Sequence, residues 1–283
     1  MTDPAKADRS AKLRAFFAQY VAKGGHAQDP RIEAAFAAVP REPFAGPAPW
    51  SVGADYVLTP DDDPAFLYQD TLIALDAEKG INIGQPSLHA RCLDALSLRA
   101  GEDVLHVGAG AGYYTAIIAQ LVGPKARIYA YEIDPGLAAR AATCLKSHAN
   151  IEVRAQSGIA EDLPRVDVIY VSAGITQPSW TWLDALRPGG RLMFPLQSMA
   201  RWGAMLRVER PRIGTVWPAC FVTRAGFILC DGRQDPELSR RLADAFSGGG
   251  WEAVKSFRMD KPKTATCWFA GDDWWLSTEG AYE

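Results

Sequence analysis

The apolar run Asp103–Val107 leads directly into Gly108-Ala109-Gly110-Ala111-Gly112, and a helical pattern follows. Glycines at alternate positions allow a tight turn and close approach of backbone to a ligand, and the start of the helix favours anionic groups. Glu132 closes the next apolar run, Arg127–Glu132, twenty positions after Gly112. An acid placed there accepts hydrogen bonds from ribose hydroxyls. Taken singly, each signal has a plainer alternative: a ligand-free turn and a surface glutamate. Taken together, they point to an adenosine-containing cofactor. A dinucleotide fingerprint would place glycine at 113, where Tyr113 stands, so the spacing is G-x-G-x-G.

These residues need a scaffold. Asp103–Val107, Arg127–Glu132, Ile151–Ala155, Val166–Val171 and Arg191–Pro195 are short Val- and Ile-rich runs, and Ala-rich helical stretches at 111–121, 135–148 and 179–187 separate them. Strands alternating with helices predict a doubly wound α/β fold with a parallel sheet. Pro188-Gly189-Gly190 reads as a turn feeding the last of these strands, and Met205–Glu209 as a hairpin return. Upstream, Leu13, Phe16, Phe17, Tyr20 and Val21 recur at helical spacing, and Asp29-Pro30 opens a second helix that Pro40 stops. The Pro-rich residues 40–66 read as a long irregular segment. In residues 211–283 a helix near 236–246 and strands near 253–258 and 266–270 are expected, with the five tryptophans of that stretch, Trp217, Trp251, Trp268, Trp274 and Trp275, more at home in a small core than on a substrate platform.

The chain has 283 residues, 48% hydrophobic and 22% charged, which excludes a disordered, collagen-like or coiled-coil chain. A formal charge of −3 gives no broad attraction for nucleic acid or an anionic membrane, and neither partner is expected. Cys92, Cys144, Cys220, Cys230 and Cys267 are odd in number and form no C-x-x-C pair. They fit reduced thiols in a cytoplasmic protein rather than a disulfide framework or a zinc site. Met1–Ala22 lacks the continuous apolar core of a signal peptide. Asp61-Asp62-Asp63 reads as a solvated loop, and no metal is expected.

Four stretches resemble the protein-L-isoaspartate (D-aspartate) O-methyltransferase family. Ile32–Phe36 through Val39-Pro40-Arg41-Glu42-Pro43-Phe44 resembles its helix ending in V-P-R-x-x-F. Asn82-Ile83-Gly84-Gln85-Pro86-Ser87-Leu88-His89-Ala90 resembles its T-I-S-x-P-x-x-x-A segment. Val104–Tyr113 resembles its V-L-E-I-G-x-G-S-G-Y strand and loop, and Leu186–Leu192 with Pro195 its L-K-P-G-G-R-L-x-x-P. The resemblance spans about residues 31–222. It departs at Gly84, where the family has serine, at His106, where it has an acid, and at Ser157, where it has the acid of G-D-G.

The resemblance implies an S-adenosylmethionine-dependent O-methyltransferase acting on a carboxylate, an isoaspartyl or aspartyl side chain in a protein or peptide. It implies a Rossmann-like methyltransferase sheet. An N-terminal helical and Pro-rich segment (residues 1–80) would cover the carboxyl edge of a core at 81–224, and residues 225–283 would form an appendage of unassigned role. Cofactor binding falls to His106, Gly108, Gly110, Gly112, Tyr113, Glu132, Ser157 and Gly158, and acceptor orientation to Gln85, Ser87 and Ser172. His89 reads as a helix-packing residue or a site residue. The departures leave two alternatives open: a methyltransferase with a different acceptor, or a cofactor-binding module without activity. The sequence leaves the oligomeric state open.

Overall fold

The computed structural model describes residues 4–230, 232, 234–260 and 264–281. They form two compact units that interleave along the chain: Met1–Glu102 with Ala109–Gln156, and Asp103–Gly108 with Ser157–Glu283.

In the first unit, helix Pro4–Gly24 packs on helix Pro30–Ala38 through Phe17, Val21, Ile32 and Phe36. The Asp29 side chain accepts a hydrogen bond from Arg31 N, and Pro30 fills the first helical position. The segment expected to be irregular carries structure. A short helix, Glu42–Ala45, precedes a four-stranded antiparallel sheet in the order Val57–Leu58, Ser51–Val52, Ile73–Asp76, Ile81–Ile83. Strands of two residues are too short to show a period of two in sequence. Helix Pro86–Leu96 follows. Farther on, the parallel strands Ile128–Glu132 and Ile151–Ala155 are joined by helix Pro135–Cys144, which packs on both. Asp134 caps that helix through Gly136 N and Leu137 N.

In the second unit the strands run in the order Cys267–Ala270, Trp275–Ser277, Ser256–Arg258, Val216–Arg224, Gly203–Glu209, Leu186–Gln197, Val166–Val171, Val104–Val107. The last three pair in parallel and the others antiparallel. The expected hairpin return is Gly203–Glu209, paired with Leu186–Gln197. Pro188-Gly189-Gly190 is not a turn before that strand. It lies within it, at a register shift opposite Val166–Val168. Strand Val216–Arg224 escaped the sequence reading, although Trp217, Ala219 and Phe221 alternate as buried residues. Pro218 masks the pattern, because proline normally argues against a strand interior.

Candidate active site

Strand Val104–Val107 is buried throughout, as a parallel strand covered on both faces should be. The chain leaves it through Gly108, Gly110 and Gly112, all at positive φ of 73°, 56° and 94°. L-residues with a Cβ avoid that region, so the alternation of glycines is a backbone requirement. Helix Tyr113–Val122 then starts from Gly112. Glu132, at the carboxyl end of its strand, is 8% exposed. Its Oε2 accepts a hydrogen bond from Gly110 N at 2.7 Å and its Oε1 one from Asp134 N at 3.0 Å. One carboxylate thus fixes the glycine loop and the following helix cap. Each oxygen keeps a lone pair after these bonds, so the pair can still accept from vicinal hydroxyls. That donor and acceptor set fits the ribose of an adenosine cofactor.

The three glycines differ in what surrounds them. A Cβ on Gly112 would lie 2.8 Å from the Leu145 side chain, so this glycine serves the packing of its own helix. A Cβ on Gly110 would meet only Leu75 Cδ1, at 3.2 Å. In the second unit, a Cβ on Gly108 would lie 3.2 Å from the Ser172 carbonyl oxygen.

Tyr113 is turned into an aromatic cluster. Its ring lies 5.6 Å from Phe44, 6.3 Å from Phe36 and 5.0 Å from Tyr114, with the Arg41 guanidinium 5.4 Å from its centroid. Its hydroxyl is buried without a hydrogen-bond partner among the described residues, and burial pushes its pKa up. Arg41, fully buried, donates from Nη1 to the carbonyls of Leu67 at 2.6 Å and Gln69 at 3.0 Å. The V-P-R stretch therefore sets the backbone that leads to Asp70.

In the second unit, His106 is 1% exposed and its Nε2 lies 3.2 Å from Ser172 Oγ, with its ring stacked on Tyr170 at 5.5 Å. Burial holds its pKa down to about 3, so the imidazole is neutral at pH 7. Ser157 Oγ accepts from Ile159 N at 3.4 Å. Gly158 accepts from Trp182 Nε1 at 2.6 Å through its carbonyl, and a Cβ there would collide with the Val107 side chain. Any side chain at 158 would therefore have to displace Val107.

The turn Gly84-Gln85-Pro86 enters helix Pro86–Leu96 with no side-chain bond from its N-cap residue, Gln85. The missing cap is supplied from a distance by Asp70, which the sequence did not reveal. Asp70 accepts from Ser87 N at 2.8 Å, Ser87 Oγ at 2.6 Å and Gln85 Nε2 at 3.0 Å. A cap fifteen residues away leaves no local motif, and the uncapped helix start was the only trace of it. His89 is buried and lies flat on Tyr114, centroids 3.5 Å apart at 9°, while Tyr114 donates its hydroxyl to the Gly84 carbonyl at 2.6 Å. Asp63 caps the helical turn Pro64–Phe66 and pairs with Arg9, and Asp62 pairs with Lys6. Among the described residues no group of three or more His, Cys, Asp or Glu could hold a metal.

The profile of the protein-L-isoaspartate(D-aspartate) O-methyltransferase family matches residues 14–217. The protein-L-isoaspartate O-methyltransferase 2 of Archaeoglobus fulgidus is 31% identical over 166 residues, which cover 57% of this chain and 74% of that protein. The protein-L-isoaspartate O-methyltransferase of Rhodopseudomonas palustris is 33% identical over 186 residues, covering 64% and 77%. Among solved structures, a protein-L-isoaspartate O-methyltransferase aligns with a TM-score of 0.65 at 23% identity, over 83% of this chain and 69% of that one. A beta-aspartate methyltransferase from Plasmodium falciparum, in complex with S-adenosyl-L-homocysteine, aligns at 0.61 and 17%, over 77% and 98%. The structural likenesses show a Rossmann-like methyltransferase fold.

Proposed function

The chain belongs to the protein-L-isoaspartate(D-aspartate) O-methyltransferase family, an S-adenosylmethionine-dependent methyltransferase family, and from that premise we propose that its acceptor is a side-chain carboxylate, isoaspartyl or aspartyl, in a protein or peptide. The observation that carries the cofactor half of this reading is the buried Glu132 carboxylate, tied to the amide of Gly110. We assign the ribose hydroxyls to Glu132, with Gly110 giving the backbone room to approach the cofactor.

The bound cofactor supplies an electrophilic methyl group on a sulfonium centre. A carboxylate is ionised at pH 7, so no side chain has to take a proton from it. The work left to the chain is to align the acceptor and keep water out. This fits the state of His106, which lies beside the glycine loop in sequence and is neutral and buried. Its partner Ser172 holds the imidazole in place. On the acceptor side, Ser87 and Gln85 are held by Asp70, which we assign as the positioning residue for both.

A second reading has its own observation. Gly84 offers no hydroxyl, and the donors of Gln85 and Ser87 are already engaged by Asp70. An acceptor carboxylate at this turn would meet few side-chain donors, which favours a different acceptor on the same cofactor chemistry.

One experiment separates the readings. Wild-type protein with S-adenosylmethionine is offered an isoaspartyl peptide, its normal aspartyl twin and the same peptide with asparagine. A 14 Da gain on the isoaspartyl peptide alone, reversed by mild base, supports the carboxylate acceptor. Cofactor binding with no transfer to any of the three sinks it.

Three functional segments are proposed along the sequence: 1–80, a core at 81–224, and the appendage at 225–283. We assign the chain to a reducing compartment such as the cytoplasm, because its five cysteines are odd in number and form no C-x-x-C pair. No helix among the described residues is long and apolar enough to cross a membrane.

A further inference from the structure

Helix Pro4–Gly24 carries two large aromatic residues in the open. Phe16 is 68% exposed and Tyr20 55%, and their rings stack with centroids 6.2 Å apart at 18°. They stand at i and i+4, and Lys23, one turn on, shares their face. Together with Gln19, Gly24, Asp70 and Ser87 they line a cavity of about 450 Å³. Its polar floor is built: Asp70 is fixed by three hydrogen bonds from Ser87 and Gln85.

The chain lets this helix come close to that floor. A Cβ on Gly25 would lie 2.5 Å from the Ser87 carbonyl oxygen and 3.0 Å from Arg91 N. Glycine there allows the end of the helix to seat against the start of helix Pro86–Leu96. The aromatic pair is thereby continuous with the Gly84–Ser87 turn, where acceptor orientation is assigned.

We propose that this groove seats the polypeptide on either side of the methylated residue. Phe16 and Tyr20 take an apolar or aromatic side chain of the acceptor, Lys23 pairs with an acidic group, and the anchored Asp70 accepts from backbone N–H. Two stacked aromatics give a large, stiff contact area at small entropic cost, which suits an extended chain. An ammonium at one side and a carboxylate on the floor match the mixed charge of a peptide backbone and its acidic side chains. The proposal rests on a polypeptide acceptor, and its test is kept separate from turnover.

The test is a binding titration on the full chain with S-adenosylhomocysteine present. The probes are two dye-labelled isoaspartyl hexapeptides, one with phenylalanine two positions from the isoaspartyl residue and one with alanine there. Burying a phenylalanine side chain predicts that wild type binds the first roughly tenfold more tightly. The double variant Phe16→Ala/Tyr20→Ala should bind both peptides alike. Lys23→Glu should weaken binding of a peptide carrying a flanking glutamate. Both aromatics are exposed, so the double variant keeps the fold, which circular dichroism checks. An unchanged tenfold preference in the double variant overturns the groove, as does the lack of any preference in wild type. A double variant that changes sedimentation but not peptide affinity also overturns it, in favour of a second copy of the chain. Preferential binding without methyl transfer leaves the groove standing and removes the carboxylate acceptor instead.

Discussion

The ring nitrogen Nε2 of His89 occupies the space that a Cβ on residue 84 would need. Gly84 and His89 are thus complementary: the missing side chain of one admits the ring of the other. The stack of His89 on Tyr114, and the bond from Tyr114 to the Gly84 carbonyl, complete the arrangement. Glycine at this position is therefore more than the loss of a hydroxyl.

Serine cannot simply be put back at residue 84. Gly84→Ser should force His89 out of its stack, at a cost of about 1–3 kcal/mol for overpacking. Gly84→Ser/His89→Ala should regain part of that loss, because the space is then free. Chemical denaturation of the four proteins in the cycle measures the coupling. Simple additivity of the two changes would show that the residues do not compete for space.

The loop glycines should separate under substitution. Gly112→Ala meets Leu145 at 2.8 Å in a left-handed conformation, so it should lower stability by about 2–4 kcal/mol from overpacking and backbone strain. Gly110→Ala meets only the tip of Leu75 and should cost about 1–2 kcal/mol in stability, the strain alone. Its larger effect should be on cofactor affinity. Thermal melts and titration calorimetry on both variants decide. Equal losses of stability would show that the two positions are under the same constraint.

His106 should make the protein acid-sensitive. Its pKa is about 3 in the fold against an ordinary 6.5, so below 6.5 the unfolded chain takes up a proton that the folded chain refuses. Stability from this group is complete above pH 6.5 and falls by up to about 1.4 kcal/mol per pH unit as the pH drops toward 3. His106→Asn should flatten the dependence of unfolding free energy between pH 6 and 4. Urea titrations at three pH values test it, and identical slopes for variant and wild type would remove His106 as the cause.

Residues beyond 224 should be needed for solubility. Gln197 holds Phe227 by two buried bonds, 2.9 Å to its carbonyl and 2.8 Å from its N–H. Strand Ser256–Arg258 pairs with Val216–Pro218, and Phe257, Phe269, Trp274 and Trp275 are buried. Truncation after residue 224 removes this sheet and bares Trp217 and Phe221, so the product should aggregate. A soluble truncation with an unchanged melting temperature would make the extension a separate accessory.

What the sequence disclosed follows from how local each signal is. Strand Val104–Val107, the glycine loop and Glu132 are contiguous or follow a fixed spacing, and each lies where it was expected. Asp29-Pro30 capped its helix as read. The helix expected to run from 135 to 148 ends at Cys144, a boundary that depends on weak terminal turns. Asp70 was invisible because its partners are fifteen and more residues away, and Arg41 showed only as part of a motif because its bonds go to backbone carbonyls. Tyr113 opens its helix, and its ring is fixed by tertiary packing on Phe36 and Phe44, which no local pattern shows.

We propose that Glu132, anchored to the Gly110 amide, grips the cofactor. Titration calorimetry of S-adenosylhomocysteine into wild type and Glu132→Ala tests it most directly. Saturable binding by wild type and a loss of about 1.5–3 kcal/mol in the variant, the scale of hydrogen bonds to a charged group, is the expected result. Circular dichroism must show the variant folded, since the substitution also frees the Gly110 and Asp134 amides. Equal affinity in a folded variant would contradict the account.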